Sequence, residues 1–286
     1  MYRNTFLSVM FLACCFNGSL CAQSDAQIYE RTCDAKTYPF SDPSPVATPN
    51  NSYYPYFRFD GFSMQAQEKQ WKMVVLENDY VKLTVTPEIG GKIWGAIDKV
   101  NNKEFVYTNG VVKFRDVAMR GPWTSGGIEF NFGIIGHAPT CSTPIDYLTK
   151  KNVDGSVSCH IFSYEWITRT VWNVEISLPK DKAYFTTHTT WFNQSSIDQP
   201  YYQWMNAGYA TKTGTRFYYP GTYSIGHSGD LHPYPIDEEG RDVSWYDNNN
   251  FGASKSLHII GDYNDYFGIY WHNEKHGSAH YSNYDE

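Results

Sequence analysis

Residues 77–107 read ENDYVKLTVTPEIGGKIWGAIDKVNNKEFVY, and the period of this stretch decides the fold. From Trp71 onward apolar and polar residues alternate one for one, which is the pattern of a half-buried strand and not of a helix. KMVVLENDYVKLTVTP therefore reads as two strands about a turn at Asn78 and Asp79. GGKIWGAIDKVNNKEFVYTN reads as a second hairpin turning at Asn101 and Asn102.

The same grammar continues outward. VSCHIFSYEWITRTVWNVEISLP and KAYFTTHTTWFNQSS are β-branched and aromatic ribbons separated by turn-forming LPKDK, with NQSSIDQP after them. No segment carries a helical period with caps, and no tandem repeat is found. The predicted class is all-β, one antiparallel β-sandwich over residues 71–286. Residues 23–70, rich in Pro, Ser, Asn and Tyr, are expected to form a leader lying along that domain.

The first residues, MYRNTFLSVMFLACCFNGSLCAQSDA, hold a basic Arg3, an apolar run from Phe6 to Phe16 and small residues before Gln23. This is the pattern of a secretion signal over 1–22, too short to span a bilayer, so a secreted or periplasmic protein without an integral membrane segment is expected. FLAC at 11–14 loosely resembles a lipoprotein box, but cleavage near Ala22 leaves the longer apolar run and is the preferred reading. Three cysteines then remain, Cys33, Cys141 and Cys159. They leave two readings open, a Cys141–Cys159 bridge closing a short loop or buried thiols. No Cys/His zinc spacing is present, and no metal is predicted.

A net charge of −7 without a basic block excludes nucleic acid as a partner, because phosphate binding needs clustered Lys and Arg. With no Gly-x-Gly-x-x-Gly between strand and helix and no Walker loop, no nucleotide cofactor is expected. Aromatic residues make up 17% of the chain, including 24 Tyr and 9 Trp. Such rings suit either a tyrosine-rich surface or the C–H faces of sugars.

The order of TPEIGGKIWGAIDK, RGPWTSGGIEFNFGIIGHAP, YYQWMNAGY, YYPGTYSIGHSGD and GRDVSWYDNNNFGASKSLHIIGDYNDYFGIYWH resembles a secreted family of unknown function with a galactose-mutarotase-like β-supersandwich. The resemblance runs from about Val74 to the C-terminus. It implies carbohydrate as a partner, a role in polysaccharide breakdown, and a domain that often precedes tetratricopeptide repeats. It also implies further strands after SAHYSNYDE, so the chain is expected to be an incomplete piece of a longer protein. The Asn-His pair, second His and late Glu of aldose epimerases are not matched here.

In SGGIEFNFG, alternation puts Glu129 and Asn131 on one strand face and Ile128, Phe130 and Phe132 on the other. Gly126 and Gly127 permit close approach of a ligand or another segment, and Arg120 is the expected partner of Glu129. In YYQWMNAGYA, Trp204 and Asn206 share a face, an indole beside an amide. Trp123 and Trp271 are further rim candidates. His137 and His227, each after a glycine in a loop, are candidate proton carriers, since imidazole titrates near neutrality. The loop HPYPIDEEGRDVSWYDNNN offers acids for glycoside chemistry or a solvated surface.

The expected catalytic set is Glu129, His137 and His227. The expected substrate-binding set is Arg120, Trp123, Asn131, Trp204, Asn206 and Trp271. Three functions stay open: a glycoside hydrolase-like domain, an epimerase-like isomerase, and a non-catalytic platform for downstream repeats.

Overall fold

The computed structural model describes residues 24–40, 63–118, 121–133, 136–165, 168–226, 228–249, 258–261 and 264–282. The signal read over 1–22 lies outside them, as does much of the leader. Among the described residues no helix is long and apolar enough to cross a membrane.

Among the described residues twenty strands follow in chain order. The first six are β1 (Gln27–Tyr38), β2 (Gln67–Glu77), β3 (Val81–Thr86), β4 (Lys92–Asp98), β5 (Lys103–Val106) and β6 (Val112–Lys113). A short ribbon of β7 (Arg115–Ala118) and β8 (Gly121–Trp123) leads into β9 (Ile128–Phe132). Next come β10 (Asp146–Lys151), β11 (Val157–Glu165), β12 (Thr170–Leu178), β13 (Thr186–Asn193) and β14 (Gln203–Ala207). The last are β15 (Thr215–Tyr218), β16 (Tyr223–Ile225), β17 (Leu231–Pro233), β18 (His258–Ile260), β19 (Tyr266–Trp271) and β20 (His276–Tyr281).

An eight-stranded sheet runs β14-β9-β4-β3-β2-β1-β6, with β5 beside β4. A four-stranded sheet, β10-β11-β12-β13, packs against it. Val74, Leu76, Leu83 and Phe130 from the first sheet meet Ile161, Trp172, Val174 and Ile176 from the second in one buried core. Phe132 stacks on Trp172 across that gap, centroids 4.6 Å apart and planes 16° from parallel. This sheet-on-sheet core is why the sequence alternates: one face of each strand is removed from water by the opposite sheet.

Both predicted turns are present, β2 giving way to β3 after Glu77 and β4 to β5 after Asp98. The leader is corrected in part, because β1 pairs along its length with β2, from Gln27↔Glu77 to Thr37↔Gln67. QIYERTCDAKTY is mostly exposed on both faces, so it carries too little apolar period to announce a strand. Backbone pairing with β2 places it in the sheet instead.

The cysteines take the second of the two readings: Cys141 and Cys159 are buried thiols, not a bridge. Burial, with Glu30 adding to it, pushes the Cys159 thiol up from 9.0 to about 12. Three pH units remove roughly a thousandfold of the reactive thiolate. Iodoacetamide at pH 8 is therefore expected to leave Cys159 unlabelled in the native protein and to modify it readily in urea. Equal labelling in both would overturn this.

A register shift between Thr84 and Val85 leaves Trp94 as the extra residue of β4, since Ile93 pairs with Val85 and Gly95 with Thr84. The bulge lets Ile93 and Ala96 both point into the core while Lys92 and Trp94 point out of the opposite face. That opposite face is where the chemistry gathers.

Candidate functional site

Strand β9 is flanked by β4 and β14, and all five of its residues are buried. Ile128, Phe130 and Phe132 enter the sandwich core, so Glu129 and Asn131 project from the outer face. That outer face is not solvated here, since Glu129 is 1% and Asn131 0% exposed. Antiparallel pairing sets Trp204 opposite Asn131 and Asn206 opposite Glu129, which brings both predicted pairs to one surface.

A carboxylate buried in this way must be compensated, since an unpaired charge away from water costs several kcal/mol. Three groups surround Glu129. Asn131 Nδ2 donates to its Oε1 at 3.0 Å. His137 Nδ1 hydrogen-bonds the same oxygen. The ammonium of Lys92, itself 1% exposed, lies 4.0 Å from Oε2. Among the described residues Oε2 has no hydrogen-bond partner. Burial pushes the Glu129 carboxyl up, but the His137 bond, Lys92 and Asn131 outweigh it and hold the group below the ordinary carboxylate range. Burial pushes the Lys92 ammonium down, and Glu129 and Cys141 offset only part of that.

Each partner is fixed from behind. Lys92 Nζ donates to the carbonyl oxygen of Thr124, and to its hydroxyl at 3.2 Å. Asn131 Oδ1 accepts from the Ala138 backbone at 2.7 Å, which ties the loop carrying His137 to β9. The imidazole stacks on Trp123, centroids 5.2 Å apart and planes 15° from parallel, and also meets Trp204, centroids 4.8 Å apart and planes tilted by 55°. An ionised carboxylate only accepts hydrogen bonds, so His137 Nδ1 carries the hydrogen and Nε2 is the nitrogen without one. His137 keeps 11% of its side-chain surface open against 2% for Glu129. Of the two groups the imidazole is the one that reaches solvent.

The glycines before β9 serve the fold. Gly127 has φ +64°, and a Cβ there would stand 2.2 Å from the Ile93 carbonyl oxygen. Gly126, φ +76°, sits against the Tyr107 ring. The close approach is thus by another chain segment. Three backbone hydrogen bonds close a ring here: Gly127 N–H to Tyr107 O (2.8 Å), Gly208 N–H to Gly127 O (2.8 Å) and Tyr107 N–H to Gly208 O (3.0 Å).

Other expectations change. Arg120 and His227, and with them the expected Arg120–Glu129 pair, lie outside the described residues; among the described residues the cation beside Glu129 is Lys92. Trp271 is not at a rim: it is 4% exposed, its indole N–H bonds Ala210 O at 2.6 Å, and it stacks on His276 within the β15-β19-β20 sheet. The acidic loop is engaged elsewhere. Asp237 pairs with Arg241 at 2.8 Å, Glu238 with His232 at 2.9 Å, and Asp242 with Arg216 at 3.4 Å. Asp247 accepts from Gly214 N–H at 2.7 Å. Among the described residues no cluster of three or more His, Cys, Asp or Glu could hold a metal. Lys92 and Thr124 were missed; the available signal was a lysine opening the apolar run KIWGAI.

The molecule is an all-β, sandwich-like protein with a buried Lys–Glu–His cluster beneath two tryptophans. The chain belongs to the family described as a domain of unknown function (DUF5107), whose model matches residues 48–286. Among solved structures it is similar to a TPR-domain-containing protein from Parabacteroides distasonis, with a TM-score of 0.68 and 24% identity over 87% of this chain. It spans 40% of that protein's length, and the likeness is one of fold.

Proposed function

We propose that this domain recognises carbohydrate on the outer face of its eight-stranded sheet and moves a proton there through His137. The observation that carries the reading is the imidazole in contact with both Trp123 and Trp204 and hydrogen-bonded to the carboxylate of Glu129. Indoles offer apolar faces to sugar C–H groups, and Asn206 beside them supplies an amide able both to donate to and accept from hydroxyls.

His137 is the catalytic residue of the proposal and Glu129 its positioning residue. Glu129 fixes the tautomer, so Nε2 accepts a proton from a hydroxyl, and the imidazolium formed is stabilised by the carboxylate before it returns the proton. Two-carboxylate glycoside hydrolysis needs a second acid about 5–10 Å away. With the acidic loop engaged in its own ion pairs, single-base chemistry at an anomeric centre fits these residues better than hydrolysis. The signal read over 1–22 would place this chemistry outside the cytoplasm, secreted or periplasmic, where polysaccharide breakdown occurs.

A glycan array and turnover screen tests the reading. Trp204→Ala is expected to weaken glycan retention about tenfold, the loss of one stacking surface. His137→Gln is expected to lower turnover by about 10²–10⁴ with affinity largely kept. If neither variant differs from the parent on any glycan that binds, the carbohydrate reading is wrong. Binding with no turnover in the parent would favour a second reading, a recognition platform for following repeats. That reading rests on the TPR-domain-containing protein, of whose length this chain spans 40%.

A further inference from the structure

Trp123 ends a two-stranded ribbon, β7-β8, that pairs with no other strand among the described residues. No backbone ladder therefore ties it to the eight-stranded sheet that carries Glu129. Its own polar atom does not tie it either. Among the described residues the indole N–H of Trp123 is buried without a hydrogen-bond partner. An indole fixed by neither ladder nor N–H takes its place from the residues beside it in the chain.

Those residues are tied to β4. Lys92 Nζ donates to both the carbonyl and the hydroxyl oxygen of Thr124, the residue after Trp123, which is 0% exposed. The same ammonium lies 5.9 Å from the Trp123 ring centroid and 6.0 Å from that of Trp94, within cation–π reach of both. A second tie runs through Asn109. The Trp94 indole N–H donates to Asn109 O at 3.1 Å, and Asn109 Nδ2 donates to Ser125 Oγ at 2.8 Å.

The first tie is the charged one. A buried ammonium stays where its charge and its hydrogens are both met. Glu129 answers the charge at 4.0 Å, and Thr124 takes the hydrogens. Lys92 is thus held on one side by the carboxylate that bonds His137 and on the other by the segment that carries Trp123. Trp123 stacks in turn on His137. The contacts close a circuit, from Lys92 through Thr124 and Trp123 to His137, and through Glu129 back to Lys92.

We propose that Lys92 is a positioning residue of this site: without touching a ligand, it sets where Trp123 stands over His137, so that one buried side chain places both the indole and the carboxylate. The tie stands on contacts within the protein. Its bearing on ligand affinity rests on the carbohydrate reading of Trp123 given above.

Fluorine NMR of the whole chain labelled with 5-fluorotryptophan tests it, because each indole gives its own signal and that of Trp123 is assigned by its loss in Trp123→Phe. Lys92→Met alone would leave Glu129 without its cation, so the variant used combines Lys92→Met with Glu129→Gln and keeps the cluster neutral. In it the Trp123 signal is expected to shift, while those of Trp172 in the sandwich core and Trp271 in the β15-β19-β20 sheet stay in place. Thr124→Val keeps both charges and removes one acceptor, and is expected to shift the Trp123 signal by less. A Trp123 signal unmoved in the double variant overturns the proposal. So does one that moves together with those of Trp172 and Trp271, since that is loosened packing at large. Affinity is read separately: where a glycan binds, Thr124→Val is expected to weaken it roughly two- to tenfold, the net worth of one hydrogen bond. If no glycan binds the parent, the carbohydrate reading fails, and the fluorine signals still decide the role of Lys92.

Discussion

Glu129→Gln is expected to lower the free energy of unfolding by about 3–5 kcal/mol at pH 7, although it exchanges one oxygen for a nitrogen. The substitution removes the negative partner of a lysine that is 1% exposed, and it turns an amide N–H toward either that ammonium or the N–H of His137. Lys92→Met should then repair much of the damage, because the double variant no longer buries a lone cation. Urea unfolding of the parent, both single variants and the double variant closes the cycle.

The pH dependence follows from the sign. The native Glu129 carboxyl is held below its ordinary 4.5, so its contribution is complete above that value and is lost as pH falls through the lower native one. The gap between parent and Glu129→Gln should stay constant near neutrality and close on acidification. A loss under about 1 kcal/mol would mean that the charge cluster is open to water.

Gly127→Ala should be nearly as damaging, for a steric reason. Its φ of +64° costs an L-residue about 1–2 kcal/mol, and the new Cβ would meet the Ile93 carbonyl oxygen at 2.2 Å. Ile93 is paired with Val85 on one side and Ile128 on the other, so its backbone has no free direction in which to yield. Overpacking adds about 1–3 kcal/mol, giving a melting temperature lower by roughly 6–12 °C. Gly229→Ala is the control: φ is +89° but nothing lies within 4 Å of the added Cβ, so only the backbone strain of about 1–2 kcal/mol remains. Equal losses in the two variants would show that β4 moves aside.

Local pattern carried much of this into the sequence. Alternation in IEFNF and QWMNA assigned Glu129, Asn131, Trp204 and Asn206 to faces, and those faces coincide because the two strands pair in register. Pattern alone does not reveal which strands become neighbours. Lys92 looked like any polar residue beginning a strand, and only the contact between β4 and β9 turns it into the counter-charge of Glu129. Trp271 failed as a rim residue because an indole at a strand end looks the same whether its N–H meets water or Ala210 O. β1 was hidden for the converse reason, since its place rests on backbone pairing and its side chains remain largely in solvent.

The ring of hydrogen bonds joining Tyr107, Gly127 and Gly208 has a consequence in time. Lys92, Glu129 and His137 are all synthesised well before residue 208, yet the corner that closes the ring is the last to leave the ribosome. In between, the chain must emit the whole four-stranded sheet, whose β10 to β13 occupy the interval from Asp146 to Asn193. Contacts so distant in sequence form late, because chain entropy is lost before any bond rewards it. The nascent protein therefore holds its buried charges without their final enclosure until the opposing sheet is made, and the indole of Trp204 comes to rest on an imidazole that has long been waiting.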